Sequence, residues 1–229
     1  MLYYAAPMEG ITGYVYRNAH RRVFGGIEKY FTPFLTPNSS KRLLTREMQD
    51  VLPENNRGVS VVPQVLTREA DHFLWCAEKL SDLGYREVNL NLGCPSRTVT
   101  VKGKGAGFLA QPRELSRFLD EVCARCPIRV SVKMRIGMES EQEFPQLLDL
   151  VSAYPLSELI LHPRLGSQQY LGVPREEAFE YALDHCKVPL AYNGDLFDAE
   201  TIRCFRQRHP RVQRCMLGRG LIANPALAL

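Results

Sequence analysis

Eight short runs along the chain are either apolar throughout or alternate polar and apolar residues with a period of two. Each is followed by a polar loop and usually by a helix-length amphipathic stretch. Alternation marks a strand with one face buried, and a 3.6-residue period marks a helix packed by one stripe. The runs place strands at residues 2–6, 27–31, 59–65, 86–92, 129–134, 158–162, 188–192 and 212–217. Helices are expected over 13–24, 67–82, 111–125, 140–153, 173–185 and 198–209, with a shorter one near 41–50. Strand–helix alternation is the rhythm of a parallel sheet. Eight repeats suit a (β/α)8 barrel better than an open doubly wound sheet, which would carry a GxGxxG turn after its first strand. Here the first strand runs into Pro7-Met8-Glu9-Gly10 instead. No linker or low-complexity tract divides the chain, so residues 1–229 are expected to form one barrel domain.

A parallel barrel collects its chemistry at the C-terminal ends of the strands. The run Asn89-Leu90-Asn91-Leu92 is stopped by Gly93 and Pro95, which puts Cys94 on that rim. Met8 follows the first strand, Gln64 lies in the third, and Lys133 and Arg135 end the fifth. His162 and Arg164 follow the sixth, Asn193-Gly194-Asp195 the seventh, and Gly218-Arg219-Gly220 the eighth. Each has a bland reading. Cys94 fits a small core residue, Gln64 a partner for buried backbone groups, His162 a hydrogen-bonded core side chain and Gly194 a positive-φ turn. Their convergence on one rim points instead to a binding site. The glycine-rich loops after the last two strands have the make-up of a phosphate site, to which Arg219 adds a two-pronged donor. Lys133 supplies a central positive charge. One phosphate cradle, a central lysine and several amides suit a mononucleotide such as FMN better than a dinucleotide.

Composition narrows the setting. The chain has 229 residues, 45% of them hydrophobic, enough for a full core. Seven cysteines, with no leader-like segment and no apolar run of about 20 residues, point to a reducing interior, and a cytoplasmic location with no membrane association is expected. Cys123 and Cys126 form a CxxC without a second ligand pair, so no metal site is expected. The net charge of +4 is compatible with a polyanion and does not demand one. Arg97, Lys102 and Lys104 share one glycine-rich loop, whereas Arg203, Arg206, Arg208 and Arg211 read as a solvated face.

Taken together, these segments resemble the tRNA-dihydrouridine synthases. The resemblance runs from Ala6 to Leu227 and is carried by APMEGIT at 6–12, Gln64, NLNLGCPSRTV at 89–99, KGKGAGFL at 102–109, SVKMRIG at 131–137, HPR at 162–164, NGD at 193–195 and GRGLIANP at 218–225. GCPS with its glycine-rich sequel is the most specific of these. The resemblance implies a TIM barrel that binds FMN, takes electrons from NADPH and reduces a uridine of tRNA. Pro7 and Met8 would line the flavin ring, Gln64 and Lys133 would bond its polar edge, and His162 would lie beside it. Asn193, Gly194, Asp195, Gly218 and Arg219 would hold the phosphate end. Asn91 would position the uracil, Cys94 would be the acid that protonates carbon 5, and Arg164 would contact RNA or the flavin. Arg97, Lys102 and Lys104 would meet the RNA backbone, and the protein is expected to act as a monomer. The chain departs from the family at Pro163 and Leu165, where glycine and threonine are usual, and at Glu9, where alanine is commoner. It also stops at Leu229, where the family continues into a helical C-terminal domain. Two other readings are an FMN barrel acting on a free small molecule and a non-catalytic RNA-binding remnant of such a barrel.

Overall fold

A computed structural model describes residues 1–229 and shows a parallel barrel. Its strands are β1 (Leu2–Ala5), β2 (Lys29–Phe31), β3 (Val61–Val62), β4 (Gln64–Val65), β5 (Glu87–Leu92), β6 (Arg129–Gly137), β7 (Leu159–Leu165), β8 (Leu190–Tyr192) and β9 (Arg214–Leu217). Every pairing is parallel, in the order β3-β2-β1-β9-β8-β7-β6-β5-β4. The two ends of that order, β3 and β4, are one stave interrupted at Pro63, which has no N–H to donate. Pro63 still accepts from the Asn89 amide at 2.8 Å, and the Gln64 amide donates to the Thr32 hydroxyl at 3.0 Å. The nine segments therefore make the eight staves expected, with the ring closed through this break.

The helices are α1 (Tyr14–Val23), α2 (Thr45–Val51), α3 (Ala70–Asp82), α4 (Arg97–Thr100), α5 (Pro112–Arg125), α6 (Phe144–Ser152), α7 (Glu176–His185), α8 (Ala199–Arg208) and α9 (Arg219–Ala223). The expected helices are present, and their ends follow local chemistry. Asp198 caps α8 by accepting from the Thr201 amide at 2.7 Å. The expected helix over 140–153 opens as a 3₁₀ turn because Ser140 and Glu143 form a capping box there. Residues 166–175 do not extend α7 backwards but form a loop above the barrel. Strands β6 and β7 run three residues further than the sequence predicts, so Arg135 and Arg164 lie within strands. The exposed helices are too short and too polar to cross a membrane.

Strand alternation splits the core in two. Outward positions such as Val88, Leu90, Val132 and Leu161 pack beneath the helices in one large cluster. The lower inward positions of β1, β2, β3, β7, β8 and β9 are apolar: Tyr4, Phe31, Val62, Ile160, Ala191 and Met216 fill that side of the bore. The inward positions of β4, β5 and β6 are polar instead: Gln64, Asn89, Asn91, Ser131 and Lys133. The floor is sealed by ions. Lys29 lies 3.1 Å from Glu87 and 3.5 Å from Glu158, and the Tyr4 hydroxyl donates to Glu158 at 2.8 Å. The polar half of the bore opens only at the C-terminal rim.

Candidate active site

A cavity of about 380 Å³ occupies that rim. Residues from the ends of all the staves line it, among them Met8, Cys94, Lys133, His162 and Arg219. Cys94 stands where β5 ends. The Asn91 side-chain oxygen accepts from the amides of Gly93 at 3.0 Å and Cys94 at 2.9 Å, which turns the chain sharply after Leu92. The Cys94 carbonyl accepts from the Ala106 amide at 3.0 Å, and Arg135 donates to the Gly93 carbonyl at 2.9 Å. Gly105 makes this approach possible. It has φ of +57°, and a Cβ there would meet the Cys94 carbonyl oxygen at 2.7 Å and the Cys94 Cβ at 3.1 Å. The glycine-rich loop is thus the support under the cysteine. Burial pushes the Cys94 thiol above its ordinary value, and the nearby Arg135 and Lys133 charges only partly offset that. The group is a protonated thiol at neutral pH.

Four cations, Lys133, Arg135, Arg164 and Arg219, run from the stave beside Cys94 round to the β9 loop. Lys133 has no protein partner, and burial together with the charge of Arg135 lowers its pKa to about 7. Arg164 is fully buried. It bonds the Asp195 carboxylate at 2.9 and 2.5 Å, the Gly172 carbonyl at 2.7 Å and His162 Nε2 at 3.0 Å. A guanidinium can only donate, so Nε2 accepts and the His162 proton resides on Nδ1. Burial and the four surrounding cations hold His162 well below its usual pKa, which keeps it in that neutral form. Partial burial raises the Asp195 carboxyl, but the guanidiniums of Arg164 and Arg219 outweigh this and hold it below the usual carboxylate range. Arg219 donates to Asp195 at 2.8 Å while its guanidinium lies 5.2 Å from the Tyr170 ring and 5.1 Å from the Phe197 ring.

The loops after β8 and β9 offer a ready cradle for one phosphate. The amides of Gly194, Asp195, Gly218, Arg219 and Gly220 donate to no acceptor in the protein. Side chains are excluded there: a Cβ on Gly194 would meet the Tyr192 hydroxyl at 2.0 Å, and one on Gly220 the Leu196 carbonyl oxygen at 2.1 Å. Asn193 locks the two loops together by donating to the Met216 carbonyl at 2.8 Å. At the facing edge the Met8 amide donates to the Thr12 hydroxyl at 2.8 Å, and Arg17 holds the Thr12 carbonyl at 2.9 Å, which fixes Pro7 and Met8 on the wall. Five open amides and Arg219 at one end, and an unpartnered Lys133 near the centre, fit a flavin mononucleotide.

Most of the residues singled out from sequence meet at this cavity: Pro7, Met8, Gln64, Asn91, Cys94, Lys133, His162, Asn193, Gly194, Asp195, Gly218 and Arg219. Four stand elsewhere. Arg164 has no exposed surface, so the expectation that it reaches RNA is corrected: it anchors Asp195 and His162. Arg97 and Lys102 are exposed and Lys104 half-buried in the segment after Cys94, none of them lines the cavity, and none forms an ion pair. Asp195 contributes its backbone amide and the fixing of two arginines, because its carboxylate would repel a phosphate. Tyr170, Phe197 and Phe34 line the cavity and were not singled out. They sit on irregular loops without periodicity, and only Phe34, which follows Pro33, has a proline or glycine beside it as a signal.

The geometry defines a parallel barrel with a single-phosphate cradle and a thiol on the rim, the arrangement of an FMN-type oxidoreductase. Solved structures share the fold: morphinone reductase superposes with a TM-score of 0.68 at 12% identity over 99% of this chain and 85% of that one. The old yellow enzyme homologue of Zymomonas mobilis gives 0.66 at 13% over 99% and 86%. The model of the dihydrouridine synthase family, Dus, matches residues 4–229, and the chain belongs to that family. Among curated relatives, the tRNA-dihydrouridine(16) synthase of Pseudomonas putida is 30% identical over 98% of this chain and 71% of its own length. A probable tRNA-dihydrouridine synthase 1 of Synechocystis is 27% identical over 97% of this chain and 62% of its own length.

Proposed function

We propose that this barrel reduces uridine in tRNA to 5,6-dihydrouridine, with Cys94 as the proton donor. The observation that carries the reading is a protonated thiol, clamped between Asn91 and Gly105, on the rim of a cavity with one phosphate cradle. When bound, FMN would supply the two-electron hydride chemistry that links NADPH to carbon 6 of the uracil ring. The protein does the rest. The open amides of 194–195 and 218–220 and Arg219 hold the phosphate, Pro7 and Met8 form the ring's wall, and Lys133 meets its polar edge. Lys133 is poised to gain a proton as negative charge develops beside it, because its pKa lies near neutrality. His162, neutral with its proton on Nδ1, lines the same wall as a donor. Cys94 gives its Sγ proton to carbon 5. A thiol suits that step, since it is protonated at neutral pH yet releases its proton far more readily than a serine hydroxyl.

The target base has to leave its stack to reach a cavity sunk in a barrel rim. Arg97, Lys102 and Lys104 lie in the segment after Cys94 without carboxylate partners, and they are the cations we assign to the RNA backbone. By contrast, of the solvated face expected from sequence, Arg203, Arg208 and Arg211 are paired with Glu200, Glu176 and Asp184, while Arg206 is exposed and unpaired. Relatives named for position 16 support that uridine as the target, and the protein is read as a cytoplasmic monomer. Incubation with NADPH and tRNA lacking dihydrouridine, followed by mass spectrometry of nuclease fragments, tests the proposal. A gain of two mass units in the fragment containing uridine 16 is expected. Turnover of free small molecules with tRNA left unchanged would overturn it.

A further inference from the structure

Four side chains of the polar half of the bore form a single hydrogen-bonded chain that ends at the cysteine. Asn91 Oδ1 accepts from the backbone amides of Gly93 and Cys94. Those groups can only donate, so Asn91 has one permitted orientation and its Nδ2 must point the other way, to Gln64 Oε1 at 2.7 Å. Gln64 then presents Nε2 to Asn89 Oδ1 at 2.7 Å, and Asn89 presents Nδ2 to the Ser131 hydroxyl at 3.0 Å. Asn89 and Ser131 are register partners on β5 and β6, wholly buried one layer below the cavity and absent from its lining. Flipping Asn91 or Gln64 would set donor against donor or acceptor against acceptor at both of its ends, and flipping Asn89 would do so toward Gln64.

We propose that Asn89 and Ser131 are positioning residues: Asn89 accepts from Gln64 and donates to Ser131, and this buried anchor holds Gln64 and Asn91 in the orientation that the Gly93 and Cys94 amides select, and so sets where the Cys94 thiol stands. The polarity runs from the Gly93 and Cys94 amides through Asn91, Gln64 and Asn89 to Ser131, which closes the chain as acceptor, and Gln64 is left with one amide hydrogen of fixed direction. The part of this inference that concerns the flavin and uracil rests on the function proposed above. The part that concerns Cys94 does not.

The test uses Asn89→Leu, which keeps the volume and removes the bonds, and the pair Ser131→Ala and Ser131→Thr. Iodoacetamide alkylation is followed at Cys94 by peptide mass spectrometry in the protein with and without FMN, with Cys204 as internal reference. Asn89→Leu is expected to change the Cys94 rate several-fold, Ser131→Ala to change it in the same direction by less, and Ser131→Thr, which retains the acceptor, to match wild type. In the FMN-loaded protein the visible flavin bands shift in Asn89→Leu as Gln64 loses its orientation. Uracil reduction falls about tenfold, the scale of a small misplacement of a reacting group. That loss vanishes in a Cys94→Ala background, because residues acting through one another are not additive. Should Asn89→Leu fail to fold, the Ala/Thr contrast at Ser131 decides. Variants that melt earlier yet alkylate at wild-type rates, with unchanged flavin bands, would overturn the inference. A wild type inactive on tRNA leaves the alkylation result standing, and so separates the two failures.

Discussion

At the scale of single residues the site depends on what is not there as much as on what is. Gly105 combines a left-handed backbone with contact against Cys94. Gly105→Ala is expected to cost about 1–3 kcal/mol from the backbone alone. The added methyl must also push the Cys94 carbonyl away. Thermal denaturation together with the rate of uracil reduction checks this, and the rate should fall by more than the loss of folded protein explains. Lys133 gives a prediction of opposite sign. Its folded pKa of about 7 lies below that of a lysine in the unfolded chain, about 10.4, so between these values the unfolded state binds more protons. Its contribution therefore makes the flavin-free protein more stable as pH rises through that window, with no further change below it. Lys133→Met should remove this rise, as seen in the difference between wild-type and variant urea midpoints across pH 7 to 10.

At the scale of elements, the loops after β8 and β9 do their work through backbone, and a side chain at their edge tunes it. Arg219→Ala removes a charge that is 42% exposed and held by Asp195, Tyr170 and Phe197. A phosphate contact acts alike in ground and transition states, so FMN affinity should fall while the rate per bound flavin stays near wild type. Equilibrium dialysis against FMN, with rates normalised to occupancy, reads both. These loops were legible in the sequence because NGD and GRG combine glycine with polar residues just after apolar runs. So were the strands, whose alternation survives in the split between inward and outward residues. The extensions of β6 and β7 were not legible. Arg135, Pro163 and Arg164 look like loop residues, yet the rim lets charged side chains lie in strands when their partners wait there, Gly93 and Leu165 for Arg135 and Asp195 for Arg164. The loop 166–175, with Tyr170 above the cavity, has no period at all, and only the fold reveals what it covers.

At the scale of the whole molecule, the barrel separates its tasks by face. The floor is closed by the Lys29, Glu87 and Glu158 cluster, one flank is laced by Arg208, His209 and Arg211 to α7, and unpaired cations gather beside the cysteine. With Arg97, Lys102 and Lys104 assigned to the RNA backbone, tRNA association should depend on their side of the barrel. Lys102→Glu combined with Lys104→Glu is expected to weaken tRNA binding by at least about tenfold and to flatten its salt dependence. Arg203→Glu should do neither. Filter binding across a salt series distinguishes the two faces.

The central claim is that Cys94 is the acid of the step from reduced flavin to uracil, and nothing else in the cycle. Stopped-flow absorbance at about 450 nm separates the half-reactions: bleaching on mixing with NADPH, and recovery on mixing the reduced protein anaerobically with tRNA lacking dihydrouridine. For Cys94→Ala the account predicts bleaching at nearly the wild-type rate and recovery slowed by about 10²-fold or more, the usual scale for a missing general acid. Recovery at the wild-type rate would contradict it and return Cys94 to the status of a packed core thiol.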